Sequence, residues 1–245
     1  MPLELRILTD PAELAAAVAD RFLQRVAAAQ ARGEHPHVAL TGGTIAHELH
    51  RQIAQRAESG GHVVDWSRVS FWWGDERFVA PDSAERNALD ARDVFLDRVG
   101  ATSVHEVPST ADASDVGAAA SAYGDLLRAS GAGEFDLVML GMGPDGHVAS
   151  LFPGFPQLDA DGIAVAVTGS PKPPPERVSL TFPALNRTRA VWFLVTGEGK
   201  AGAVKSALAD TGDLHQTPAR GISPTPHHGA GETTWFLDLA AAGKL

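Results

Sequence analysis

The sequence predicts a doubly wound α/β protein, with a mostly parallel sheet and helices on both faces. Three observations point there. Apolar, β-branched runs alternate with helix-period segments along nearly the whole chain. The run "RVSFWWGD" is almost continuously apolar, as a strand buried on both faces must be. Helical patterning continues on both sides of the two Pro-rich stretches without a shift in composition, so residues 1–245 read as a single domain.

The first strand is "LELRIL". The helix after it has Asp10 as N-cap, Pro11 in its first turn and Glu13 completing a capping box. Leu14, Val18, Phe22 and Val26 recur every fourth position and form its buried stripe. "HVALTG" is a strand and "TIAHELHRQIAQRAES" the helix that follows, capped by Thr44. "RVSFWWGD" is the next strand. Helices over 87–99 and 114–130 come after it, separated by "VHEV". "FDLVMLGM" is expected at the centre of the sheet. "IAVAVT", "RVSLTF" and "AVWFLVTG" read as strands, 200–209 as a helix, and "TTWFLDLAAA" as a last short element. The Pro-rich "GSPKPPPE" and "ISPTPHHGAGE" are exposed loops.

A chain of 245 residues, 44% hydrophobic and 20% charged, can bury a substantial core. No apolar run is long enough to span a bilayer, and "MPLELRILTD" lacks a signal-peptide pattern. With no cysteine, disulfides and thiolate-bound zinc are excluded. A cytoplasmic protein without membrane partners is expected. Twenty basic against thirty acidic residues leave a net charge of −10, which disfavours nucleic acid. An acidic chain that binds a phosphate must gather its positive charge locally, so each Arg and Lys position is informative.

In doubly wound sheets, ligands bind beyond the carboxyl ends of the strands, and four strand ends carry chemistry. The first, "LTGGTIAHEL", brings Gly42, Gly43 and Thr44 to a helix N-terminus, where bare amides and a hydroxyl suit a phosphate. Taken alone, the glycine pair reads first as a tight turn. The second places Asp75, Glu76 and Arg77 beyond an apolar strand. Asp75 and Arg77 are candidate substrate contacts, Arg77 as a bidentate phosphate ligand; a surface ion-pair cluster is the equal alternative.

The third is "GMGPDGHVASLFPG". Its glycines turn the chain sharply after the strand and set Asp145 and His147 on a rigid loop. His147 is a candidate general base near neutral pH. Asp145 either fixes its tautomer or acts on the substrate. At the fourth, Lys200 opens a helix after a Gly-rich strand end. Its charge opposes the helix dipole there, which an anionic ligand would offset. This is not a Walker A loop, because Leu194 stands where glycine is needed and Ala201 where Ser or Thr is.

Neither an H-E-x-x-H pattern nor a G-x-S-x-G elbow is present, and no metal site is expected. The residues alone therefore point to a phosphorylated small molecule and a His-driven reaction that uses water or transfers a proton.

The strings "TGGT", "WWGDERFVAPDSAERN", "FDLVMLGMGPDGHVASLFPG" and "RVSLTFPALNRTRAVWFLVTGEGKA" together resemble the glucosamine-6-phosphate isomerase/6-phosphogluconolactonase family, on its lactonase side. The likeness runs in order from about Leu5 to "WFLDLAA". It implies a Rossmann-like fold and hydrolysis of a sugar-phosphate lactone, without an obligatory metal or cofactor. By position, it implies that His147 deprotonates the attacking water with Asp145 as its neighbour. Gly43, Thr44, Arg77 and Lys200 would then grip phosphate and substrate. Oligomeric state is left open.

Two departures stand out. Ile45 follows "GGT" where the family often has proline, and the C-terminal loop carries His227 and His228, read here as solvent-exposed.

The alternative on the same fold is an amino-sugar-phosphate deaminase or isomerase, with Asp75 moving a proton at C2. Such enzymes resemble "DEY" and "FNEPG" where this chain has "DER" and "SLFPG". A sugar-phosphate sensor would need an appended basic DNA-binding domain. A dinucleotide-binding oxidoreductase would need G-x-G-x-x-G early in the chain, whereas "GMGPDG" lies past the middle and runs into a His.

Overall fold

The structure, a computed structural model, describes residues 3–60, 63–131 and 133–245. Its elements in order are β1 (Leu3–Leu8), α1 (Pro11–Ala31), β2 (His37–Leu40), α2 (Thr44–Glu58), β3 (Ser70–Trp73), β4 (Asp75–Arg77), α3 (Asn87–Ala91) and β5 (Ser103–Val104). There follow α4 (Val116–Ala129), β6 (Leu137–Leu140), β7 (Ala164–Val167), β8 (Arg177–Leu180), α5 (Phe182–Asn186), β9 (Ala190–Val195), α6 (Ala201–Leu208) and β10 (Glu232–Asp238). Seven strands form one sheet in the order β1-β10-β9-β6-β2-β3-β5, with every neighbouring pair parallel. The expected central strand, β6, is the middle one.

The continuous apolar runs are explained by two cores, one on each face. Val38, Leu40, Phe71, Trp73, Met139 and Trp192 face α1, α2 and α3. Their sequence neighbours Ala39, Trp72, Val138, Leu140, Val191 and Phe193 face α4, α5 and α6. Because side chains alternate across a strand, a sheet covered on both faces needs apolar residues at every position. Among the described residues no helix is long and apolar enough to cross a membrane.

Local signals hold at most element ends, with three corrections. Asp10 caps α1, accepting from the Glu13 amide at 2.9 Å, and the Leu14, Val18, Phe22 and Val26 stripe is buried. The reciprocal bond of the capping box is displaced by one residue: Glu13 Oε2 accepts from Thr9 N at 2.7 Å, not from Asp10. Thr44 is not the cap of α2. Gly43 is, at φ +92, and Thr44 is the first helical residue; the turn out of β2 needs the left-handed backbone that glycine adopts without strain. The helix expected over 87–99 is α-helical only to Ala91 and passes into a π turn over Arg92–Leu96.

A second sheet of three strands, β4-β8-β7, is antiparallel and is joined to the main one through Gly74, which donates to Leu40 O at 2.9 Å and accepts from Leu180 N at 2.8 Å. It takes up "IAVAVT" and "RVSLTF", with "DER" as its edge, where the sequence suggested a charged loop. "RVSLTF" ends earlier than expected, since Phe182 begins the short helix α5.

The buried wall of α2 carries a pH liability. His50 is 1% exposed, stacks on Phe95 at 5.8 Å, and has no hydrogen-bond partner on either ring nitrogen. Burial drags its pKa from 6.5 down to about 4, with Asp90 pulling the other way and His47 adding to the fall. Burial also lowers His37 and His105. Below pH 6.5 the unfolded chain takes up a proton that folded His50 refuses. Its stability contribution is therefore complete above pH 6.5 and is lost as pH falls towards 4, by about 3 kcal/mol in all. Urea midpoints should drop between pH 7 and pH 5, and His50→Leu should flatten that slope. An unchanged slope in the variant would assign it elsewhere.

Candidate active site

The chain leaves β2 towards β3 and β5, and leaves β6 in the opposite direction towards β9 and β10, although β2 and β6 are neighbours. The carboxyl ends of these two strands therefore diverge, opening the crevice where doubly wound sheets bind ligands. The Thr41 hydroxyl ties them, accepting from Gly141 N at 3.2 Å. Above them lies a cleft of about 470 Å³ lined by Gly42, Gly43, Thr44, Asp75, Arg77, His147 and Lys200, which are seven of the eight residues singled out from the sequence.

The eighth, Asp145, lies behind His147 rather than in the cleft wall. Its Oδ1 meets His147 Nδ1 at 2.5 Å and accepts from the His147 amide at 3.3 Å. Burial works to raise the Asp145 pKa, but the His147 hydrogen bond and charge prevail and hold it at about 2. An ionised carboxylate can only accept, so Nδ1 carries a ring proton, and in a neutral imidazole Nε2 is the nitrogen left to accept. From behind, the buried Phe152 ring packs 4.6 Å from the imidazole and carries Arg177 over its face at 6.0 Å. Thus "SLFPG" supports the histidine through Phe152, while Ser150 donates to Asp75 Oδ2 at 2.6 Å.

Close packing on the opposite wall depends on a missing side chain. A Cβ on Gly42 would lie 1.8 Å from Asn87 Oδ1. That oxygen accepts from Arg77 Nη1, which also donates to Glu85 O at 2.9 Å, while Asn87 Nδ2 donates to Asp75 O at 3.0 Å. Glycine at 42 thus lets Asn87 aim Arg77 into the cleft beside the bare N-terminus of α2. No side chain caps that end, so its amides remain available to an anion.

Glu76 belongs to the scaffold. It is fully buried, and its carboxylate accepts from the amides of Arg77, Asn87 and Ala88, each at 2.8 Å. Burial pushes its pKa up, against the pull of the Arg86 charge and these amides. Glu76→Gln would set an NH₂ against one of those donors. We expect a loss of about 1–3 kcal/mol in denaturant titration, the cost of an unsatisfied buried group. Unchanged stability would contradict this reading.

The cleft also holds cations that sequence reasoning missed. Arg177, 6% exposed, is fixed by the carbonyls of Lys172 and Pro173 at 3.0 and 3.2 Å and stands 4.0 Å from Asp75 Oδ2. Lys172, on the Pro-rich loop, reaches the same cleft. Burial lowers the Lys200 pKa, as does Lys172, with Asp238 opposing, and among the described residues Lys200 has no side-chain partner. Four cationic side chains against the single carboxylate of Asp75 make this a positive pocket in a chain of net charge −10. His227 and His228 are exposed and line a different cleft. Among the described residues no cluster of His, Asp or Glu is arranged to hold a metal ion.

Fold and site define a Rossmann-like α/β protein whose crevice joins a positively charged wall to a His–Asp pair. Residues 9–235 match the family described as glucosamine-6-phosphate isomerases/6-phosphogluconolactonase. The chain is 40% identical to a 6-phosphogluconolactonase of Streptomyces coelicolor over 257 residues, covering 99% of this chain and 94% of that one. It is also 40% identical to one of Mycobacterium tuberculosis over 255 residues, covering 100% and 99%. The solved structure of a 6-phosphogluconolactonase from Thermotoga maritima matches with a TM-score of 0.83 at 28% identity, covering 97% of this chain and 100% of that one. The chain belongs to the glucosamine-6-phosphate isomerase/6-phosphogluconolactonase family.

Proposed function

We propose that this chain hydrolyses 6-phospho-D-glucono-1,5-lactone to 6-phospho-D-gluconate, the lactone-opening step of the oxidative pentose phosphate pathway, in the cytoplasm. The observation that carries the reading is the His147–Asp145 pair, with His147 on the wall of a positive cleft and Asp145 Oδ1 2.5 Å from its Nδ1. Nε2 takes a proton from water as the oxygen attacks the lactone carbonyl carbon. The negative charge that develops on the carbonyl oxygen is stabilised by the cations and amides of the cleft. As the tetrahedral adduct collapses, the bond from carbonyl carbon to ring oxygen breaks. The imidazolium returns its proton to that oxygen, giving the carboxylic acid and a free hydroxyl. Asp145, held ionised, stabilises the imidazolium in between.

The remaining positive charge suits the 6-phosphate. Arg77, Arg177, Lys200 and the α2 amides divide between the phosphate and the oxyanion. The deaminase alternative requires Asp75 to shuttle a proton at C2, but Asp75 Oδ2 is engaged by Ser150, with Arg177 beside it.

The phosphate part is tested by comparing 6-phosphogluconolactone with unphosphorylated gluconolactone. The phosphorylated lactone should have a much higher kcat/KM, carried mainly by a lower KM. Equal values for the two would show that the cleft does not recognise the phosphate.

A further inference from the structure

β1 closes one edge of the seven-stranded sheet. It pairs with β10 on one side and, among the described residues, with no strand on the other. Leu3, Leu5 and Ile7 project from one face and are 56%, 46% and 48% exposed. Leu3 also lines a cleft with Phe193, Leu208, Ile222 and Trp235, to which Thr233 and Arg220 add polar groups. Glu4 and Arg6 project from the other face and bond each other at 2.7 Å, with side chains 41% and 46% exposed. An apolar edge strand of this kind, with neither proline nor bulge, is a template for another strand.

Backbone direction fixes what that strand meets. The Leu8 carbonyl accepts from Leu239 N just past β10, at 2.9 Å. Even-numbered residues of β1 therefore turn their peptide groups towards β10, while Leu3, Leu5 and Ile7 turn theirs outward.

We propose that the chain forms a twofold dimer by antiparallel pairing of β1 with β1 of a second copy, centred on Leu5. This register sets Leu5 opposite the partner subunit's Leu5, and Leu3 opposite the partner subunit's Ile7. Those are the residues with free outward peptide groups, so they make the hydrogen-bonded pairs. Glu4 then falls opposite the partner subunit's Arg6, in the non-hydrogen-bonded positions where side chains come closest. Centring on Glu4 or on Arg6 instead would bring like charges together. Slipping by one residue would oppose outward peptide groups to inward ones. Leu5 thus centres the pairing that satisfies backbone, apolar face and charge together. In strand order β1 stands three places from β6, so the crevice is untouched.

Sedimentation velocity at micromolar concentration tests this. Wild type should sediment at dimer mass. Leu5→Lys should halve that mass and leave lactone kcat unchanged. Glu4→Arg and Arg6→Glu each oppose like charges and should be monomeric alone, but an equimolar mixture should regain the dimer through opposite charges. Circular dichroism checks folding of Glu4→Arg, because Glu4 also accepts from Arg21 on α1, whereas Leu5→Lys is independent of that contact. A wild type that stays monomeric throughout the micromolar range overturns the proposal. So does a dimer that survives Leu5→Lys, or a mixture of the folded charge variants that fails to associate.

Discussion

Replacing His147 by alanine is expected to lower kcat for lactone opening by about 10³-fold, within the range that a positioned general base supplies, and to leave KM nearly unchanged. The four cationic side chains of the cleft are untouched by the change, and the His147 ring lines the cleft wall, so its loss should leave substrate binding nearly intact. Asp145→Asn should fall between wild type and His147→Ala. An amide can donate to Nδ1, which moves the proton to Nε2 and removes the lone pair that faces water. The measurement is initial-rate acid release from freshly generated lactone, corrected for spontaneous opening. A kcat preserved in His147→Ala would remove His147 from the mechanism.

Gly143→Ala should be nearly as damaging, although it only adds a methyl group. The new Cβ would lie 2.1 Å from both Cε1 and Nδ1 of His147 and 2.4 Å from Asp145 Oδ1. No real contact is that short, so both side chains must leave the geometry that aims Nε2. The loop cannot yield easily, since Gly143 N donates to His147 O and Gly146 N donates to Gly143 O, each at 3.0 Å. A displacement of about 1 Å in a positioned catalytic group costs about 10²-fold in rate. We expect at least that loss in kcat with little change in Tm, because the moved groups lie on a loop at the rim. Gly42→Ala makes a useful contrast. Its Cβ would drive Asn87 off Arg77, so KM should rise more than kcat falls. Similar kinetic signatures for the two variants would mean that the walls of the cleft do not divide the work in this way.

The site was legible where it is local in sequence. Glycines after β2 and β6 announced sharp turns at strand ends, and a carboxylate two residues before a histidine announced a pair that one loop can hold together. What stayed hidden depends on contacts between distant segments. Arg177 reaches the cleft because β4 and β8 pair antiparallel, with Arg77 opposite Arg177, and nothing in "DER" or "RVSLTF" specifies that partnership. The only available signal was an arginine opening an otherwise apolar strand. Asn87 read as the start of a helix, and its second role as the brace for Arg77 needs the absent side chain at Gly42. Glu76 looked like part of a surface charge cluster, yet the N-terminus of α3 folds over it and turns it into a buried cap.

In the fold, β6 and the two-faced strands were plain from their hydrophobic pattern. The separate antiparallel sheet was not, because short apolar runs do not say which sheet they join.

The most direct test of the lactonase activity is acid release from 6-phosphogluconolactone by the wild-type chain, read beside ammonia release from glucosamine 6-phosphate. Lactone opening well above the spontaneous rate, with no ammonia, is the expected result. Lactone opening at the spontaneous rate, with or without ammonia release, would contradict it.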